Sequence, residues 1–254
     1  MEIRKIGEKT LTFDPKKHKY EVDGQKIKDT VSRISKLVGS ADFGVASGWA
    51  QSKIKQAILD DFEFLKKEFQ TRQEMEDWVK EICSTPSRIA RDAANEGTLF
   101  HNDLEIFSTK GEDNALPLDE YSETVRRCVI ALRFWYKNAV LSTIDSERRI
   151  FSLSKNYAGT LDMIARMRDG KIAVIDWKGV TSFKFPVRQA YLAQVSAYGF
   201  ALLEEGSEVD QGIVVEILRD TGEIRASRFP ILANFQPFVD ALNMSRHQFE
   251  YETF

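Results

Sequence analysis

Residues 159–178 read GTLDMIARMRDGKIAVIDWK, and this stretch decides the fold class. Thr160–Met167 and Ile172–Trp177 are rich in apolar and β-branched residues, with Asp169-Gly170 between them. That is the signature of two strands joined by a tight turn. A third strand, Arg149–Leu153, precedes them across the turn residues Asn156-Tyr157. Downstream, Pro186 opens a helix running to Glu204, with proline near the first turn, where its missing N–H is harmless. Gln211–Leu218 and Ile224–Phe229 supply two more strands around Asp220-Thr221-Gly222, and a final helix covers Phe235–Glu250.

Upstream of the strands the period changes from two to 3.6. From Val45 to Ile106, Trp49, Ile54, Ile58, Phe62 and Leu65 recur every three or four residues among charged ones. Pro86-Ser87 begins a second helix there, and Lys110–Pro117 is a polar loop before an amphipathic helix from Leu118 to Asn138. Residues 10–38 alternate around Phe13-Asp14-Pro15 and Val22-Asp23-Gly24, as strands and turns do. The chain therefore predicts an α/β (α+β) fold in one domain, 1–254: a β-rich opening (1–40), a helical region (41–140) and a sheet-containing core (141–254).

At 254 residues, 43% hydrophobic and 30% charged, the composition is that of an ordinary globular protein. No apolar run approaches the roughly 18 to 20 residues of a membrane span, and Met1–Thr10 lacks a signal-like apolar stretch. A cytoplasmic location without membrane association is the expectation. Cys83 and Cys128 have neither metal-ligand spacing nor a neighbouring His, and are expected to be buried or half-buried thiols. The net charge of −3 leaves nucleic-acid binding open, because a site that holds cations concentrates carboxylates.

Asp176-Trp177-Lys178 ends an apolar strand, and residues two apart in a strand share a face. The triplet alone says little, since Asp14-Pro15-Lys16 and Asp169-Gly170-Lys171 have the same spacing on polar turns. Asp162, between Leu161 and Met163, lies in the preceding strand, so a hairpin brings two carboxylates side by side. Buried like charges are costly unless a cation or a proton compensates them. The plain alternative pairs Asp162 with an arginine such as Arg166. His101, in Gly97-Thr98-Leu99-Phe100-His101 with Glu105 a turn beyond, otherwise reads as an ordinary helix histidine. Gln194 and Tyr198 share a helix face with Tyr191, an arrangement equally suited to simple packing. Lys184 and Arg188 alternate with Phe183, Phe185 and Tyr191, either as a solvated loop or as a surface for phosphates and bases. Arg88 and Arg91, in the helical region, are further candidates for the nucleic-acid backbone.

In their order, Gly-Thr-x-x-His, Glu147, Gly-Thr-Leu-Asp, Asp-Trp-Lys and Gln-x-x-x-Tyr resemble the RecB-like exonuclease branch of the PD-(D/E)XK nuclease superfamily over roughly Arg91–Phe200. The resemblance implies a restriction-endonuclease-like core, a central mixed sheet flanked by helices beside an N-terminal helical region. It further implies a metal-dependent deoxyribonuclease, an exonuclease of recombination, repair or phage DNA metabolism. Its partners would be single- or double-stranded DNA and a recombination or replication protein. By the same resemblance, His101, Asp162, Asp176 and the Trp177 carbonyl hold Mg²⁺ or Mn²⁺, with Asp162, Asp176 and Lys178 catalytic. Gln194, Tyr198, Tyr191, Lys184 and Arg188 meet the substrate, and Glu105 and Glu147 are secondary candidates. The first signature lacks its proline, Gly179 stands where relatives often have Thr or Ser, and the cysteines of iron–sulfur members are absent, so no cluster is expected. The competing readings are a catalytically silent nucleic-acid-binding protein with the same fold and a protein-interaction module. Metal-dependent cleavage separates both from a nuclease.

Overall fold

A computed structural model describes residues 1–38, 43–61, 69 and 71–247. Its strands are β1 (Glu2–Ile6), β2 (Lys9–Asp14), β3 (Lys19–Val22), β4 (Gln25–Ile27), β5 (Val140–Ser152), β6 (Tyr157–Met167), β7 (Ile172–Val180), β8 (Gln211–Leu218) and β9 (Ile224–Pro230). The α-helices among the described residues are α1 (Val31–Ser35), α2 (Phe43–Asp60), α3 (Arg72–Lys110), α4 (Glu123–Ala139), α5 (Gln189–Glu204) and α6 (Phe235–Arg246). The fold is α+β.

The chain divides into two compact units, Met1–Gly39 with Phe100–Phe254, and Ser40–Leu99. In the first, β1–β4 form an antiparallel meander, and β5-β6-β7-β8-β9 form a mixed sheet in that order. Within the mixed sheet, β7 and β8 run parallel and the other neighbours antiparallel. A parallel pair needs a crossover, and α5 supplies it. Side chains alternating along β7 feed two cores. Ile172 and Val174 join Ala193, Val195, Ala197 and Leu202 of α5, whereas Ala173, Ile175 and Trp177 join Phe100 and Leu104 of α3 and Val129 and Leu132 of α4. The mixed sheet is thus flanked by helices on both faces. The meander buries Leu11, Phe13 and Tyr20 against Phe151 and Ala158 of the β5–β6 hairpin.

The second unit contains α2 and the first part of α3. A cavity of about 450 Å³ lies between them, lined by Lys53, Asp60, Asp61, Glu81 and Arg88 among others. Phe62 and Leu65, which extended the helical pattern, lie outside the described residues, as do positions 248–250 of the final helix.

Several boundaries differ from the sequence reading. The helix expected to begin at Pro86 is one 39-residue helix that runs through Pro86. Proline forfeits a single bond there, to the carbonyl of Ile82 four residues back, and the long helix on either side absorbs it. The helix expected from Leu118 starts at Glu123, because Ser122 caps it by accepting the Val125 N–H. Leu118–Glu120 forms only a 3₁₀ turn. Cys83 is exposed, not buried or half-buried, whereas Cys128 is buried.

Candidate active site

The edge of the site is set by where the sheet opens. β6 and β7 pair from Arg166↔Ile172 to Met163↔Ile175 and then stop, while β7 stays paired to β8 as far as Val180↔Leu218. The next opposed residues would be Asp162 and Asp176. In place of a further ladder bond, Asp162 Oδ2 accepts the Trp177 N–H at 3.0 Å. On the other flank, Ser146↔Met163 and Arg148↔Leu161 place Glu147 opposite Asp162. One row across three strands therefore carries Glu147, Asp162 and Asp176. Glu147 adopts a left-handed φ of 49°, a strained conformation for a residue with a side chain.

Asp176 is fully buried, and neither carboxylate oxygen receives a well-directed hydrogen bond. Its compensation is the Lys178 ammonium, 2.7 Å from Oδ2, as strand alternation leads one to expect. Burial, with the nearby charge of Asp162 added, pushes Asp176 up to about 7 against the pull of Lys178. Burial works against the Lys178 charge, but Asp176 and Asp162 outweigh it and hold the ammonium above the usual lysine range. The Lys178 side chain is 21% exposed, so it remains reachable from solvent. Glu147 is pushed to about 7 by burial, then by the charges of Asp162 and Glu105. Glu105 lies one helical turn beyond His101.

His101 reaches the row from α3. Its Nε2 lies 3.1 Å from the Trp177 carbonyl, which can only accept, so Nε2 carries the proton of that bond. Nδ1 then faces Asp162 Oδ2 at 3.5 Å. Arg166 donates to the Gly170 carbonyl instead of pairing with Asp162.

From α5, Gln194 Nε2 donates to the Tyr198 hydroxyl at 2.9 Å. Burial, followed by the charges of Asp176 and Asp162, raises Tyr198 well above the usual phenol range. The Tyr191 ring lies between two cations, with Lys178 Nζ at 5.4 Å and the Arg188 guanidinium at 5.7 Å from its centre. Lys184 lies over Phe185 at 5.9 Å, and Phe185 is 69% exposed.

Two glycines of the motifs have steric reasons. A Cβ at Gly159 would lie 2.9 Å from both the Tyr198 ring and Val31, and one at Gly179 would lie 3.1 Å from the Phe100 ring. The contacts after Lys178 are therefore apolar, where Thr or Ser would have brought a hydroxyl.

The donor set is carboxylate oxygen, carbonyl oxygen and imidazole, which suits a hard divalent cation. The buried Asp176 carboxylate, which has the Lys178 ion pair but no well-directed hydrogen bond, fits that chemistry. Among the described residues, however, no three His, Cys, Asp or Glu side chains stand close enough to hold a metal ion as they are. No helix of the described residues is long and apolar enough to cross a membrane.

No protein-family model matches the chain, and no curated protein matches it. Among solved structures it is similar to the crystal structure of SSO0001, at 18% identity over 60% of this chain and 75% of that one, with a TM-score of 0.30. That likeness is too slight to carry a fold or a function.

Proposed function

We propose that the protein is a metal-dependent nuclease of the PD-(D/E)XK type that hydrolyses DNA phosphodiester bonds in the cytoplasm, most simply as an exonuclease. The observation that carries this reading is Asp176, a fully buried carboxylate compensated by Lys178, where β6 and β7 part beside Asp162. A charge kept at such a place costs stability unless it serves a cation.

Asp162, Asp176 and the Trp177 carbonyl would hold Mg²⁺ or Mn²⁺, with Glu147 beside them in the row; His101, whose Nε2 bonds that carbonyl while Nδ1 faces Asp162, would join as a ligand only by turning its ring. Such an ion, when bound, makes a water nucleophilic near neutral pH and draws charge from phosphate. The chain's own residues do the rest. Lys178, paired with Asp176, would orient or deprotonate the attacking water and neutralise charge at the scissile phosphate. His101 fixes the Trp177 carbonyl, and the Gln194–Tyr198 pair closes the buried side of the site. Arg188, Lys184 and Tyr191 offer charge and ring faces to the substrate.

The test is cleavage of end-labelled single- and double-stranded DNA with Mg²⁺, Mn²⁺ or EDTA. Wild type should degrade DNA only with metal. Asp162→Ala should abolish cleavage, and Lys178→Ala should lower kcat by about 10² to 10³. DNA binding without cleavage in any metal would instead make this a silent nucleic-acid-binding protein.

A further inference from the structure

Residues 181–188 leave the end of β7 just after Lys178 and return as α5, carrying Lys184, exposed Phe185 and Arg188. A segment of this kind presents charge usefully only if its backbone is held. The holding group comes from β9. Arg225 Nη1 donates to the carbonyls of Phe183 at 3.2 Å and Phe185 at 2.9 Å. Its guanidinium lies 4.8 Å from the centre of the Phe183 ring. The rest of the fork is committed to Glu216, with Nε and Nη2 each 2.7 Å from Oε2. Glu216 is buried on β8 and paired in register with Lys178 on β7. The carboxylate that fixes Arg225 on β9 therefore stands on the strand next to Lys178. At the far end of the segment, Arg188 shares the Tyr191 ring with Lys178.

We propose that Arg225, oriented by Glu216, is a positioning residue that holds residues 181–188 as a nucleic-acid grip beside Lys178, with Lys184 meeting phosphate and Phe185 stacking on a base. This rests on the nuclease reading of the site. Arg225 touches neither the acid row nor the substrate; it acts through two main-chain carbonyls. A lysine keeps the charge opposite Glu216 but lacks the planar fork that serves the carboxylate and the carbonyls together. Lys184 and Phe185 supply the charge and ring stacking that grip a strand without reading its sequence.

The experiment compares wild type, Arg225→Lys and the exposed double variant Lys184→Ala/Phe185→Ala. It measures cleavage kinetics on end-labelled DNA, anisotropy of a fluorescein-labelled oligonucleotide in EDTA, and thermal unfolding. Arg225→Lys should raise both KM and Kd about tenfold with kcat within about twofold of wild type, a loss on the scale of one charge-assisted contact set. The double variant should reproduce that pattern. Unchanged KM and Kd in Arg225→Lys overturns the proposal, and so does a fall in kcat at unchanged KM. If Arg225→Lys does not fold, the double variant decides on the same readings, and wild-type KM and Kd in it overturn the grip. If wild type binds DNA without cleaving it, the nuclease reading fails while the anisotropy still decides the grip. If wild type does neither, both fall.

Discussion

The carboxylate of Asp176 lies inside the protein with no exposure and an ionisation pushed up to about 7 by burial. Asp176→Asn keeps the shape and removes the buried charge, while the partly exposed Lys178 turns to solvent. The metal-free variant should be more stable than wild type by about 1 to 2 kcal/mol at pH 8, in urea unfolding with EDTA. The same variant should have lost metal-dependent cleavage. A destabilised variant would mean that the Lys178 ion pair contributes more than the buried charge costs. Much at this scale was legible beforehand. The apolar strand before Asp176 set that Asp-x-Lys apart from the copies on polar turns, and strand alternation put Lys178 on the same face. Two things were hidden. The left-handed φ of Glu147 leaves no mark in a stretch with neither glycine nor asparagine. The hold of Arg225 on Phe183 and Phe185 joins residues about forty apart on different elements, which no local period reveals.

Helix α5 lies close to the segment after β9, and Gly199 is the reason it can. A Cβ there would fall 2.0 Å from Ile231 Cγ1 and 2.3 Å from its Cδ1. Gly199→Ala should cost about 2 to 3 kcal/mol, because a packed core has no room to yield, and adding Ile231→Ala should recover part of it in a double-mutant cycle. Additive losses would place the strain elsewhere. Gly159→Ala is expected to push Tyr198 from its place and to lower cleavage along with stability, checked by near-ultraviolet circular dichroism and kinetics. β8 ran over the expected Gln211–Leu218, where an unbroken apolar run is bounded by turn residues. β5 extends back to Val140, well before the expected Arg149, because pairing with β6 carries a polar stretch into the sheet. α5 begins at Gln189, three residues after Pro186, since Arg225 takes two carbonyls of the preceding segment.

Across the whole molecule, Asp176 and Glu147 both bind their protons more tightly folded than unfolded, from ordinary values near 4 to about 7. A group raised in this way stabilises the fold below its unfolded value, and that contribution is lost as pH rises through its folded one. The metal-free protein should therefore lose stability between about pH 4 and 7 as far as these two groups decide it. Thermal unfolding across that range in EDTA measures the slope, and Mn²⁺ should flatten it by compensating both carboxylates. An identical slope with and without Mn²⁺ would sever these acids from any cation. The division of the chain is only half marked in the sequence: Gly39, Gly44 and Gly48 fall where the first unit is left, but no comparable cluster lies at Leu99–Phe100, where it is rejoined. That division has a consequence in time. Arg246 of α6 donates to Asp29 at 2.7 Å and to the carbonyls of Lys155 and Asn156, and Thr30 bridges to Ala158. A ribosome makes Asp29 more than two hundred residues before the arginine that secures it. Through most of synthesis the meander and α1 wait with one apolar side uncovered, and a chaperone that shields nascent chains would find its occasion there.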